Sequence, residues 1–112
     1  MVRVKRIYQE AGAEDGSRVL VDRLWPRGVR KDAAAIDWWA RDLAPSTELR
    51  TWLHADPERF EAFVEAYRRE LEGNPALERL RRMAAEGTVT LLYAARDEQR
   101  NHARVLAELL GS

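Results

Sequence analysis

The chain has no cysteine. That excludes a disulfide framework, a thiolate metal site and a cysteine nucleophile. Charge of one sign is also missing, because 19 basic and 19 acidic side chains cancel to a formal net charge of zero. A whole-protein basic field that would hold nucleic acid is therefore absent, although a local basic patch stays open. No apolar run approaches the ~20 residues of a membrane span, and the N-terminus lacks the apolar core of a signal peptide. No membrane partner is expected, and the cytoplasm is the default location. Lysine is scarce, with only Lys5 and Lys31, so nearly every cation is an arginine. Planar guanidinium forks suit phosphate and carboxylate. Neither a P-loop, nor a dinucleotide Gly-rich fingerprint, nor an H-E-x-x-H motif is present. Two histidines and scattered carboxylates have no metal-ligand spacing, so no metal is expected. The sequence names no cofactor.

What is present fits one α/β domain over residues 1–112. At 46% hydrophobic and 34% charged, the chain can build a core and keep a solvated surface. It holds no repeat, low-complexity segment or dividing linker. The stretch from Thr88 to Leu110 organises the rest. Thr88 to Tyr93 is a run of β-branched, apolar and aromatic residues that predicts a buried strand. Asp97 suits the N-cap of a closing helix, and Gly111 stands where its C-terminus wants one. In open α/β sheets, ligands sit outside the carboxyl ends of such strands, near helix N-termini that favour negative charge.

Upstream, Arg3 to Tyr8 and Arg18 to Asp22 read as the first two strands. The consecutive Val19, Leu20 and Val21 imply burial on both faces, as in a sheet covered by helices. Pro26 and Gly28 stop the second strand. From Lys31 to Glu86 the patterning predicts helices only. The first runs from Ala33 to Leu43 and holds Trp38 and Trp39. The second is capped by Ser46. Asp56-Pro57 and Asn74-Pro75 are start signals for two more. The third carries Phe60, Phe63, Val64, Tyr67 and Leu71 as an apolar stripe, and the fourth turns Leu77, Leu80 and Met83 inward before Gly87. The expected fold is thus a short, mostly parallel sheet with a long helical insertion between its second and third strands. If those two strands pair in parallel, the insertion is one oversized crossover, expected to be right-handed. Such pairing would bring Asp22 to Gly28 beside Tyr93 to His102.

Arg23, Arg27, Arg30 and Lys31 cluster around Trp25-Pro26. One guanidinium fork beside a helix N-terminus would hold phosphate or carboxylate. The competing reading is a solvated loop, with Arg23 paired to Asp42 or Asp22. Trp25 either floors a pocket or belongs to the core. Asn101 and His102, in the first turns of the closing helix, could orient a ligand and act as acid or base, or form an exposed polar face. Tyr93 is a core aromatic or a hydroxyl donor into the site. Arg50 could point back toward the same region. Ser46 is better read as a cap than as a nucleophile, for no G-x-S-x-G elbow surrounds it. His54, near a helix C-terminus, suits a dipole interaction.

Three stretches carry a resemblance: VDRLWPRG (Val21 to Gly28), DWWARDLAPSTELRTWLHADPERFEAF (Asp37 to Phe63) and TLLYAARDEQRNHARVL (Thr90 to Leu106). Together they resemble the domain-of-unknown-function 488 family, in its short YeaO-like branch, over essentially the whole chain. The resemblance implies a small bacterial α/β domain without an established activity. Longer relatives carry a cysteine near the junction where this chain has Tyr93, with a histidine partner near Asn101-His102. Without the thiol, thiol chemistry does not carry over. The resemblance groups Arg23, Trp25, Arg27, Asn101 and His102 as a joint site. The leading expectation is a pocket for a small anionic, phosphate- or nucleotide-like ligand, with His102 as the candidate catalytic residue of a hydrolase or transferase. Two alternatives stand beside it. One is a nucleic-acid-binding or regulatory module, less favoured at zero net charge. The other is a non-catalytic interaction protein that uses Trp38, Trp39 or Trp52, a homo-oligomer included.

Overall fold

Every strand of the sheet points the same way. The computed structural model describes residues 1–111, and its strands are β1 (Val2–Arg6), β2 (Ser17–Leu20), β3 (Trp38–Trp39) and β4 (Val89–Tyr93). They are ordered β1-β4-β2-β3 and paired in parallel throughout. All five residues of β4 are buried, because the strand lies between β1 and β2 with both faces covered. The helices are α1 (Thr47–Ala55), α2 (Phe60–Leu71), α3 (Pro75–Glu86) and α4 (His102–Leu109). No helix of the described residues is long and apolar enough to cross a membrane.

The expected parallel pairing of the second strand with the late one is observed as β2 against β4, with Ser17 opposite Val89 and Leu20 opposite Leu92. Alternation along the strands then sorts the side chains. Val19, Val21, Val89, Leu91 and Tyr93 face the main core. There α2 contributes Phe63, Tyr67 and Leu71, α3 contributes Leu77 and Leu80, and α4 contributes Ala103, Val105 and Leu106. The apolar stripes read from the sequence are the ones that pack here. The start signals also hold. Ser46 accepts from the Leu49 N–H, Asp56 from Glu58 and Asn74 from Ala76.

The second face departs from expectation. It is buried, but loops cover it instead of helices. Toward the carboxyl end, Ile7, Leu20 and Leu92 pack against Trp25, Val29, Ile36 and Trp39. Trp25 meets Trp39 edge-on with ring centroids 5.3 Å apart. Toward the amino end the same face is ionic. Asp15, with no exposed surface, receives Lys5 Nζ at 3.2 Å and Arg18 Nη1 at 2.6 Å. Arg18 also donates to the Ala34 and Ala35 carbonyls. Thr90 Oγ1 donates to the Asp15 carbonyl at 2.7 Å.

Trp38 and Trp39 are also not helical. The stretch from Ala33 to Leu43 forms β3 and a single 3-10 turn, Arg41–Leu43. The open edge of β2 captures it: Asp37 N–H donates to the Arg18 carbonyl at 2.9 Å, and Ala40 N–H to the Leu20 carbonyl at 2.8 Å. An unpaired strand edge outweighs a weak local helical preference. Trp38 lies under the Arg79 guanidinium and Trp39 under that of Arg41, each about 4 Å away.

Candidate functional site

Because β2 and β4 are parallel neighbours, their carboxyl ends open onto one rim. β2 continues as Val21, whose N–H donates to the Leu92 carbonyl at 3.0 Å, and then leaves the sheet at Asp22. Asp22 Oδ2 accepts the Ala94 N–H at 3.0 Å, which ties the two exits together. Beyond this point lies a cavity of about 720 Å³.

Several segments line it. The loop after β2 supplies Asp22 to Arg27, including Arg23, Trp25 and Arg27. The loop after β4 supplies Arg96, Asp97 and Arg100, then Asn101 and His102 where α4 begins. Helix α1 supplies Arg50, Leu53 and His54. Pro57, Phe60 and Phe63 complete an apolar wall. Five arginines thus share the lining with two carboxylates, in a chain whose net charge is zero. Among the described residues none of those five guanidinium groups is ion-paired. Arg23 is not paired to Asp42 or Asp22; it donates to the Ala44 and Pro45 carbonyls at 3.3 and 3.4 Å. Asp97 is occupied locally, since its Oδ1 accepts the Gln99 and Arg100 N–H groups. Those two bonds hold its carboxyl below the usual range.

The last helix starts later than expected. Asp97 closes a tight turn and does not cap α4. The cap is Asn101, whose Oδ1 accepts the Arg104 N–H at 3.0 Å. Both residues are good caps, and the apolar face of α4 decides between them, because Ala103 and Leu106 must meet the sheet. Asn101 Nδ2 donates to the Asp97 carbonyl at 2.9 Å. Both polar ends of this buried side chain are therefore committed to the backbone. Replacing Asn101 with alanine is expected to destabilise the protein by about 1–2 kcal/mol, measurable by urea unfolding. A loss below about 0.5 kcal/mol would show that the cap contributes little.

Of the residues singled out from the sequence, Arg23, Trp25, Arg27, Asn101 and His102 border the one cavity. Tyr93 does not. It is buried in the core, where burial first and Glu98 second push its hydroxyl up. Trp25 has a double role: its Nε1 donates to the Val29 carbonyl at 2.7 Å and its ring packs on Trp39, while another part of it borders the cavity. Arg30 pairs with Asp32, and Lys31 sits over the Trp25 ring. Ser46 is a cap held by Glu70.

One arrangement escaped the sequence reading. His102 Nε2 lies 2.9 Å from Asp22 Oδ1 and 3.0 Å from the Val21 carbonyl. Eighty positions separate the partners, so no local motif could have flagged the pair. Arg100 was missed because it lies in a loop read as the first turn of the helix, and Arg96, in the short loop before Asp97, carries no local signal.

A family model described as "Inactive DUF488-N3 subclade" matches residues 1–112. An uncharacterized protein of Mycobacterium tuberculosis is 49% identical over 109 residues, which is 97% of this chain and 92% of that protein. The uncharacterized protein YeaO of Escherichia coli is 43% identical over 112 residues, 99% of this chain and 97% of its own. No solved structure matches.

Proposed function

The chain belongs to the inactive DUF488-N3 subclade, and from that premise we propose that it binds a small phosphorylated ligand without turning it over. The observation that carries this reading is the cavity at the carboxyl edge of the sheet. Five guanidinium groups without ionic partners face a space walled by Trp25, Leu53, Phe60 and Phe63. Like charges gathered in a concave, partly apolar site repel one another, and an anion relieves the repulsion. The apolar wall suits a ligand with a flat or hydrophobic part as well as its charge, as in a nucleotide. The placement of the arginines in a cleft fits a small molecule better than a nucleic-acid backbone, which a stripe of charge would track.

Two observations support binding without turnover. The family description is "inactive". The lining also offers no hydroxyl, thiol or amine nucleophile among the described residues. Isothermal titration of adenosine 5′-phosphate, adenosine and inorganic phosphate tests the reading. The nucleotide should bind more tightly than either fragment. Arg27→Ala and Arg100→Ala should each weaken it by about tenfold, which is ~1.4 kcal/mol. Equal binding by the double variant, or no binding of any phosphorylated compound, would overturn the proposal.

A further inference from the structure

His102 has a fixed tautomer. Its Nε2 lies within hydrogen-bond distance of Asp22 Oδ1 and of the Val21 carbonyl oxygen, and both are acceptors. Nε2 must therefore carry a hydrogen and donate it. The other Asp22 oxygen already accepts the Ala94 N–H, so the pair is anchored to the backbone on both sides. Nδ1 makes no hydrogen bond within the protein. Among the described residues, no buried side-chain nitrogen or oxygen lacks a partner. Nδ1 is therefore open to solvent, on a residue that borders the cavity.

A neutral ring would present a lone pair at Nδ1. Oxygens of a fully ionised phosphate or sulfate are acceptors only, and a lone pair facing them repels. The protonated ring instead donates a charge-assisted hydrogen bond. We infer that His102 contacts the bound anion through Nδ1 and takes up a proton as it does so, an inference that rests on the anion-binding reading above. His102 then serves as a ligand clamp whose Asp22 partner positions it, and not as an acid–base catalyst.

The charged and titratable surroundings fit this role. Asp22, at the end of β2, faces Nε2. The loop after β2 brings Arg23 and Arg27, α1 brings Arg50 and His54, and the loop before α4 brings Arg96, Asp97 and Arg100. From α2, Tyr67 meets the imidazole edge-on at 6.4 Å and donates its hydroxyl to the Leu43 carbonyl. Burial first, then Glu70 and Asp22, keep that hydroxyl protonated. An anion seated among the arginines offsets their charge and favours the imidazolium, so anion and proton enter together.

The probe is adenosine 5′-sulfate, whose sulfate does not titrate near neutrality. Calorimetry of the full chain at one pH, in two buffers of different ionisation enthalpy, counts the protons exchanged. Repeated across a range of pH in which the imidazole of the free protein is neutral, the measurement should give net uptake approaching one proton per site. Affinity should fall by up to about tenfold per pH unit as pH rises through that range. His102→Gln keeps an amide donor toward Asp22 but cannot be protonated, so its binding should not vary with pH. His54 is the other imidazole on the lining, so His54→Gln separates the two: proton uptake that disappears in this variant and persists in His102→Gln overturns the inference. Should His102→Gln fail to fold, the two-buffer measurement on the wild type and on His54→Gln decides, since only these two histidines are present. Sulfate binding with no proton uptake overturns the inference and leaves the anion site standing. Binding of adenosine 5′-phosphate but not of the sulfate also overturns it, because a P–OH group would then be donating to a neutral Nδ1. If neither compound binds, both readings fail.

Discussion

Replacing Asp15 with alanine is expected to destabilise the fold by about 3–5 kcal/mol, the usual loss when one partner of a buried ionic group is removed. Asp15 has no exposed surface, and its carboxylate is surrounded by donors. Gly12 N–H and Arg18 Nη1 reach Oδ2 at 3.1 and 2.6 Å, and Lys5 Nζ lies 3.2 Å from both oxygens. Without the carboxylate, Arg18, itself only 6% exposed, keeps its carbonyl partners but loses its counter-charge. At ~4 °C per kcal/mol for a chain of this size, the midpoint of thermal unfolding should fall by roughly 12–20 °C.

The same site gives a pH signature. Burial pushes the Asp15 carboxyl up, but the Gly12, Lys5 and Arg18 bonds outweigh it and bring the pKa down to about 2. The unfolded value is about 3.9. Because the folded value is the lower one, the stabilisation is complete above about pH 4 and is lost as pH falls toward 2. Urea unfolding of wild type and Asp15→Ala should therefore give a constant gap above about pH 5, narrowing steadily below pH 4. A gap that stays the same down to pH 2 would mean the ionised carboxylate is not what stabilises this end of the sheet.

Gly16→Ala is the second large effect. Gly16 has φ 62° and ψ −135°, a conformation that residues with a Cβ rarely adopt. An added Cβ would also stand 2.2 Å from the Thr88 carbonyl oxygen. That oxygen accepts the Ser17 N–H at 3.0 Å, the first rung between β2 and the approach to β4. Relief of the overlap must move one strand against the other. Backbone strain of about 1–2 kcal/mol adds to roughly 1–3 kcal/mol of overpacking, so a loss near 3 kcal/mol or more is expected. Gly28→Ala is the control. Gly28 also has positive φ, at 74°, but nothing lies within 4 Å of its added Cβ, so only the strain of about 1–2 kcal/mol applies. Equal losses in the two variants would rule out the steric part of the argument.

Much of the architecture was legible in the chain because it rests on local chemistry. Ser46, Asp56-Pro57 and Asn74-Pro75 start helices by satisfying their own first N–H groups, and the stripe from Phe60 to Leu71 needs only helical periodicity to be read. The meeting of the Trp25 loop with His102 was legible for a different reason: parallel strands end at the same edge, so a correct pairing of β2 with β4 places both loops there. The start of α4 was read at Asp97 and lies at Asn101, because both residue types suit an N-cap and only packing of the helix against the sheet distinguishes them. The helical reading of Trp38-Trp39 failed because the free edge of β2 is a long-range partner that no window of residues contains.

By itself, the sequence determined the α/β class, the absence of thiol chemistry, the helix starts at Ser46, Asp56 and Asn74, and the rim on which the cavity opens. Each of these follows from residue type or from periodicity over a few turns. Only the tertiary structure decided that Lys5 and Arg18 of two strands bury their charge on Asp15, and that Asp22 fixes the tautomer of His102. It also decided that Arg96 and Arg100, which no local pattern singled out, share one space with Arg23, Arg27 and Arg50. Those outcomes depend on Coulomb and hydrogen-bond contacts between different elements, and only the folded sheet sets their distances.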